Sequence, residues 1–304
     1  MAEYRIVALD GGGIRGIYTA VLLDRLAQQV PGFLDRANLL AGTSTGGILA
    51  LGLAKGMTPA QLIALYQNNG SQIFSAPPLH QIRDLGDLVG AKYDNKNLSN
   101  IINATFGNST LAGLLPRHVL ITSFDLDNRA TPPKPRMWKP KFFHNFAGPD
   151  SDGAQKIADV ALRTSAAPTY FPVYQGYVDG GTVANNPAMS ALAQALNPGT
   201  GGQKLDDVRL FSVGTGVTPT YISGDDHNWG VGQWAHPLVN MMIEGMADVA
   251  HYECLQLLHA HYFRLAPILP SPIPMDAVNK IPDLIADAQN VPLAAAVAWL
   301  NTNF

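Results

Sequence analysis

The stretch LLAGTSTGGILA, Leu39 to Ala50, carries one apolar run into another through a serine framed by glycines. NLLAG reads as a short strand and GGILALGLAKG as an apolar helix that Gly56 is placed to stop, which puts Ser44 at the turn between them. Gly42-Thr-Ser-Thr-Gly46 fits the pattern G-x-S-x-G. On such a strand-to-helix turn a serine is held in a strained backbone conformation with its hydroxyl above the sheet. Glycines two residues to either side let strand and helix approach closely, and the helix N-terminus favours negative charge nearby. A tight turn that only needs small residues gives the same letters, so the stretch alone leaves nucleophile and plain turn both open.

Outward from this turn, strand and helix alternate. YRIVALD is a buried strand, and GIYTAVLLDRLAQQV is a helix with an apolar stripe at Ile17, Val21, Leu22 and Leu26. TPAQLIALYQNNG begins with Thr58 as N-cap and Pro59 at the first helical position. The pattern weakens from Ser71 to Pro116, where LSNIINATF is a candidate helix and the rest reads as loop. Beyond it come RHVLITSFDL (strand), a proline-rich loop, AQKIADVALRTS (helix), GYVDGG (strand into turn) and NNPAMSALAQAL, a helix with Asn186 as cap and Pro187 first. Then follow DVRLFSVGTG (strand), a long helix from His236 to Ala260, HYFRLAP (strand) and two last helices. Strands that alternate with helices predict an α/β fold with a mainly parallel sheet. No repeat or linker divides the chain, so residues 1–304 read as a single domain.

Composition narrows the function classes. The 304 residues are 47% hydrophobic and only 14% charged, with a formal net charge of -3. Nucleic-acid binders usually show a basic excess, so none is expected as partner. The lone cysteine, Cys254, cannot form an internal disulfide. No signal peptide is legible, and no apolar run reaches the roughly 20 residues needed to span a bilayer. The expectation is a cytoplasmic protein, with peripheral membrane contact left open.

Asp10-Gly-Gly-Gly-Ile-Arg-Gly16 occupies another strand-to-helix turn. Gly11, Gly13 and Gly16 fit the dinucleotide fingerprint G-x-G-x-x-G, but the acidic residue expected at the end of the next strand is absent; Asp35 precedes that strand. The other reading is an oxyanion hole, with the backbone amides of Gly11, Gly12 and Gly13 aimed at a developing alkoxide. Arg15 is a candidate supporting residue, orienting the loop or meeting an anionic headgroup, and an ordinary helix-start arginine is the plainer alternative.

A serine nucleophile needs a base. Histidine is the usual one, yet none of His80, His118, His144, His227, His236, His251, His259 and His261 stands in a context that marks it out. They also supply too few neighbouring ligands to suggest a metal site. The distinctive acid is Asp179 in VDGG, at a strand end and left uncrowded by Gly180 and Gly181, although an aspartate before glycine is also common in turns.

In combination these motifs become specific. DGGGIRG, GTSTG and DGG in this order, with TSAAPTYFP (Thr164–Pro172), NNPA and SVGTG, resemble the patatin-like phospholipase family over roughly residues 4–265. The segment from about 266 to 304 carries no such motif and reads as a helical tail. The resemblance implies a three-layer α/β/α fold and lipid acyl hydrolase activity on phospholipids, lysophospholipids or galactolipids. It also implies a Ser-Asp dyad without histidine: Ser44 as nucleophile, Asp179 as general base, and the amides of Gly11 to Gly13 as oxyanion hole. No metal or cofactor is implied. An unperturbed aspartate titrates near 3.9 and a serine hydroxyl roughly nine units higher, so complete prior proton transfer costs on the order of 12 kcal/mol. The proton must therefore move as the carbonyl is attacked, and burial of Asp179 would narrow the gap.

Substrate is expected at a membrane or micelle surface. PRMWKPKFF, Pro135 to Phe143, mixes cations with Met137, Trp138 and two phenylalanines, which suits a membrane surface or an ordinary loop entering a buried strand. Met241, Met242, Ile243 and Met246 are expected in a helix core in preference to an acyl pocket. The competing functions are a Ser-His-Asp esterase, a nucleotide-binding module built on Gly11 to Gly16, and a phospholipase effector responsive to cyclic nucleotides, as some bacterial relatives in the family are. No sensor site is legible, and the sequence says nothing of oligomeric state.

Overall fold

A computed structural model describes residues 3–75, 90–224 and 228–304, with the backbone alone at 235 and 236. The strands are β1 (Tyr4–Leu9), β2 (Leu39–Gly42), β3 (His118–Asp125), β4 (Lys139–His144), β5 (Tyr177–Asp179), β6 (Val208–Val213) and β7 (Tyr262–Leu265). They form one sheet in the order β4-β3-β2-β1-β6-β7, with β5 also paired to β3. The run from β3 to β7 is parallel, while β4 and β5 are antiparallel to β3.

Both faces of this sheet are covered, which is why its central strands read as unbroken apolar runs. Alternate residues of β1 divide between two cores. Val7 and Leu9 face one core and Ile6 and Ala8 the other. The first core is closed by α1 (Gly16–Gln29), α2 (Thr45–Ala54), α3 (Pro59–Ile73), α4 (Lys96–Phe106) and α5 (Ile157–Thr164). After the short α6 (Gly181–Ala184), the second core is closed by α7 (Ala188–Leu196) and the C-terminal half of α8 (Val231–Leu258). The result is the three-layer α/β/α arrangement expected.

The last helices, α9 (Ile281–Asn290) and α10 (Ala294–Asn303), are more than a tail. Leu284, Leu300 and Phe304 belong to the first core, and Arg25 of α1 donates to the carbonyls of Ala288 and Val291. Local chemistry accounts for the boundaries. Thr58 accepts from the Gln61 amide while the Gln61 side chain accepts from the Thr58 amide, a capping box that starts α3.

Three expectations need correction. α8 begins at Val231, about a turn and a half before His236, so Pro237 lies inside it. α7 begins at Ala188, with Pro187 as its cap residue, although Asn186 still accepts from the Ala188 amide through its side chain. Met241 and Met242 are 49% and 54% exposed, not core residues: this face of α8 is left largely open among the described residues. Cys254 is buried in the second core, where desolvation pushes its thiol up to about 12, so it is chemically quiet.

Candidate active site

β3 acts as a ruler for the site. One edge of it is shared by two strands that run towards each other. Parallel β2 ends with Gly42 opposite Ile121, and antiparallel β5 ends with Asp179 opposite Ser123. Those ends are two positions apart along β3, about 7 Å at the strand rise of ~3.3 Å. The turn that leaves β2 carries Ser44 and the turn that leaves β5 follows Asp179, so the sheet itself brings the two together. Hydrogen bonding from Ser44 is one of the influences acting on the Asp179 carboxyl.

Ser44 sits at φ 54°, ψ -123°, a strained conformation for a residue with a side chain. The glycines around it are a steric requirement. A side chain at Gly42 would strike the Gly46 carbonyl, and one at Gly46 would strike the carbonyls of Leu9 and Asp10 on the neighbouring turn. The elbow is also anchored. Ser44 donates its amide to Thr164 Oγ1 at 2.8 Å, and Thr43 Oγ1 bonds Thr122 Oγ1 at 2.7 Å and donates to the Ala184 carbonyl at 2.6 Å.

Asp179 is 5% exposed. Burial raises its carboxyl from 3.8 to about 6, while hydrogen bonds from Ser44 and from the Gly181 amide, the latter at 2.7 Å, pull the other way. No histidine contributes to this shift. Among the described histidines, His118 and His144 lie at the opposite end of β3 and its partner, His251 contacts Tyr262, and His259 and His261 precede β7. His80, His227 and the side chain of His236 lie outside the described residues.

The glycine loop lies beside the elbow, after β1. Its three amides are not equivalent, which corrects the expectation for Gly11. That amide donates to the Asn185 carbonyl at 3.1 Å and is spent. The amides of Gly12 and Gly13 donate to no acceptor among the described residues. Gly13 has φ 59°, and its neighbour Ile14 donates to the Met275 carbonyl at 2.7 Å, so the segment before α9 braces the loop. Arg15 turns away from solvent: its Nη1 donates to Thr218 Oγ1 at 3.1 Å, tying the start of α1 to the turn after β6, and its Nε has no partner among the described residues.

Three contributors were not singled out from the sequence. Thr164 takes the Ser44 amide on its hydroxyl and the Gly180 amide on its carbonyl, so it joins the two turns. Asn185 holds Gly11 through its carbonyl. Arg264 of β7 grips Asp10, with Nη2 to Oδ2 at 2.6 Å and Nη1 to Oδ1 at 3.2 Å, and also donates to Ser212 Oγ. Burial pushes the Asp10 carboxyl upward and the guanidinium draws it back. An arginine inside an otherwise apolar strand was the signal that could have found Arg264. The arrangement as a whole offers a hydroxyl, a buried carboxyl of raised pKa beside it, and unspent amides in the adjoining loop: the parts needed for acyl transfer. Among the described residues no cluster of His, Cys, Asp or Glu could hold a metal ion.

The chain has recognisable relatives. A family model described as patatin-like phospholipase matches residues 7–192. Protein teg of Priestia megaterium is 30% identical over the full length of both chains. A cGAMP-activated phospholipase of Pseudomonas aeruginosa is 33% identical over 86% of this chain and 78% of that protein. Patatin-like protein 1 of Arabidopsis thaliana is 29% identical over 81% and 69%. The crystal structure of VipD from Legionella pneumophila aligns with 95% of this chain and 67% of that one at 13% identity and a TM-score of 0.39.

Proposed function

The chain belongs to the patatin-like phospholipase family, and from that premise we propose that it hydrolyses carboxylic esters of membrane lipids through Ser44 and Asp179, as an enzyme of phospholipase A or lysophospholipase type. The observation that carries this reading is the meeting of the β2 and β5 turns along β3, with a buried carboxyl beside a strained serine.

The steps follow from the geometry. Ser44 Oγ attacks the ester carbonyl carbon as its proton passes to Asp179. Charge on the carbonyl oxygen is received by the amides of Gly12 and Gly13, each donor of this kind being worth about 3 kcal/mol. The tetrahedral intermediate collapses, and Asp179 returns the proton to the departing alcohol. Water then attacks the acyl-serine and gives a proton to Asp179, which passes it to Ser44 Oγ as the bond to serine breaks and the fatty acid leaves. A carboxyl near 6 narrows the mismatch with serine to roughly seven units, so the cost of full proton transfer falls to about 10 kcal/mol. Residues 1–304 act as one catalytic unit in this reading, since the segment before α9 braces the glycine loop.

Among the described residues no helix is long and apolar enough to cross a membrane. Activation by a cyclic dinucleotide is supported only by likeness to the cGAMP-activated phospholipases of Pseudomonas aeruginosa, Vibrio cholerae and Escherichia coli, and no described residue argues for it. Fluorophosphonate labelling with mapping of the adduct tests the proposal. Labelling at Ser44, lost in Ser44→Ala together with phospholipid hydrolysis, supports it; labelling at another residue overturns it.

A further inference from the structure

We propose that the hairpin between β3 and β4, residues 126–138, docks the protein on an anionic lipid surface and so presents lipid to Ser44; this rests on the lipid hydrolase reading above. The hairpin stands on the right side of the molecule. β3 leaves the sheet at Asp125, only two residues past the partner of Asp179, so its extension projects from the edge where the site opens.

Its surface is apolar and cationic at once. Met137 and Trp138 are 53% and 68% exposed. The segment 126–141 holds five basic residues and a single acid, Asp127, in a chain whose net charge is -3. Arg136 is taken by Asp127 and Lys141 by Asp152, but Arg129, Lys134 and Lys139 form no ion pair among the described residues, and all three are exposed. Local excess positive charge around an exposed tryptophan complements a surface of anionic headgroups, where the ring sits at the interface and the cations meet phosphates.

The exposure is built, not accidental. Asn128 fixes the loop from both sides: its amide donates to the Met137 carbonyl, its Oδ1 accepts from the amides of Met137 and Ala130, and its Nδ2 donates to the Pro135 carbonyl, all at 3.1 Å. Arg129 adopts φ 49°, with its amide given to Asp127 Oδ1. These bonds fix the backbone of the loop up to Met137, the residue next to Trp138.

The test is partition of the full chain onto vesicles of phosphatidylcholine alone and of phosphatidylcholine mixed with phosphatidylserine. Wild type should prefer the mixed vesicles. Arg129→Gln/Lys134→Gln/Lys139→Gln should lose that preference, about fivefold per cation and on the order of 100-fold together. Trp138→Ala should weaken partition onto both compositions by roughly tenfold. Turnover of a soluble short-chain ester should be unchanged in both variants. Wild type without preference for the anionic vesicles, or a triple variant that partitions as wild type does, overturns the proposal. So does a change of sedimenting mass in the variants, which would assign the hairpin to a second copy of the chain. Loss of soluble-ester turnover in wild type would instead refute the Ser44 reading and leave the partition result interpretable.

Discussion

Asp179→Asn should make the protein inactive and, above pH 6, more stable. Burial lifts the carboxyl from 3.8 to about 6, roughly 2 units. At ~1.36 kcal/mol per unit, holding the ionised group in its buried site opposes folding by on the order of 3 kcal/mol. The folded pKa is above the unfolded one, so the native state holds the extra proton between about pH 4 and pH 6. Stability therefore falls as pH rises through that window and levels off above it. Asparagine has nearly the same shape, keeps an oxygen to accept from the Gly181 amide, and ionises at no pH. At pH 8 the variant should gain about 3 kcal/mol, which is several degrees in melting temperature for a chain of this size. Below pH 4 the two proteins should converge, because there the wild-type carboxyl is protonated. Denaturant titrations from pH 3.5 to 8, with ester turnover in parallel, give both readings, and wild-type turnover should rise through about pH 6 as Asp179 becomes a base. A stability difference that is the same at both ends of the range, or a variant weaker than wild type at pH 8, would refute the reasoning.

Ser44→Gly should be more stable than Ser44→Ala by about 1 kcal/mol, since glycine tolerates φ 54°, ψ -123° and alanine does not; equal denaturation midpoints would mean that the elbow stores no strain. Arg264→Met should cost about 3–5 kcal/mol by leaving Asp10 buried without its cation. Asp10→Asn placed in the same chain should recover most of that loss, and a double variant no more stable than the single would dissolve the pairing. Thr164→Val keeps the volume but strands the Ser44 amide, at a cost of about 1–3 kcal/mol. Its turnover should fall as the elbow shifts, and a wild-type melting curve with a wild-type rate would show that the hydroxyl is dispensable.

What was legible in the sequence is what glycine and apolar spacing enforce. Gly42 and Gly46 had to be glycine because carbonyls occupy the space a side chain would need, so the elbow left a local pattern. The strands were legible because both faces of the sheet are covered. Thr164 opens the motif TSAAPTYFP, but its role was not legible: a hydroxyl that accepts an amide from a residue 120 positions away depends on packing alone. Gly11 misled for the same reason, since the carbonyl that consumes its amide comes from Asn185. Met241 and Met242 misled differently. Helical spacing of apolar residues predicts a buried face, but periodicity cannot report whether anything arrives to cover it.

β5 is only three residues long, yet it decides which way the Asp179 carboxyl points. Side chains alternate along a strand, so sliding β5 by one position against β3 would turn the carboxyl to the far side of the sheet. The bond from Ser123 Oγ to the Val178 carbonyl guards that setting. The connection from Thr164 to Tyr177 is anchored as well: Phe171 belongs to the first core and the Ala166 carbonyl accepts from the Asp179 amide, so a change of length there would disturb the packing and the carboxyl together.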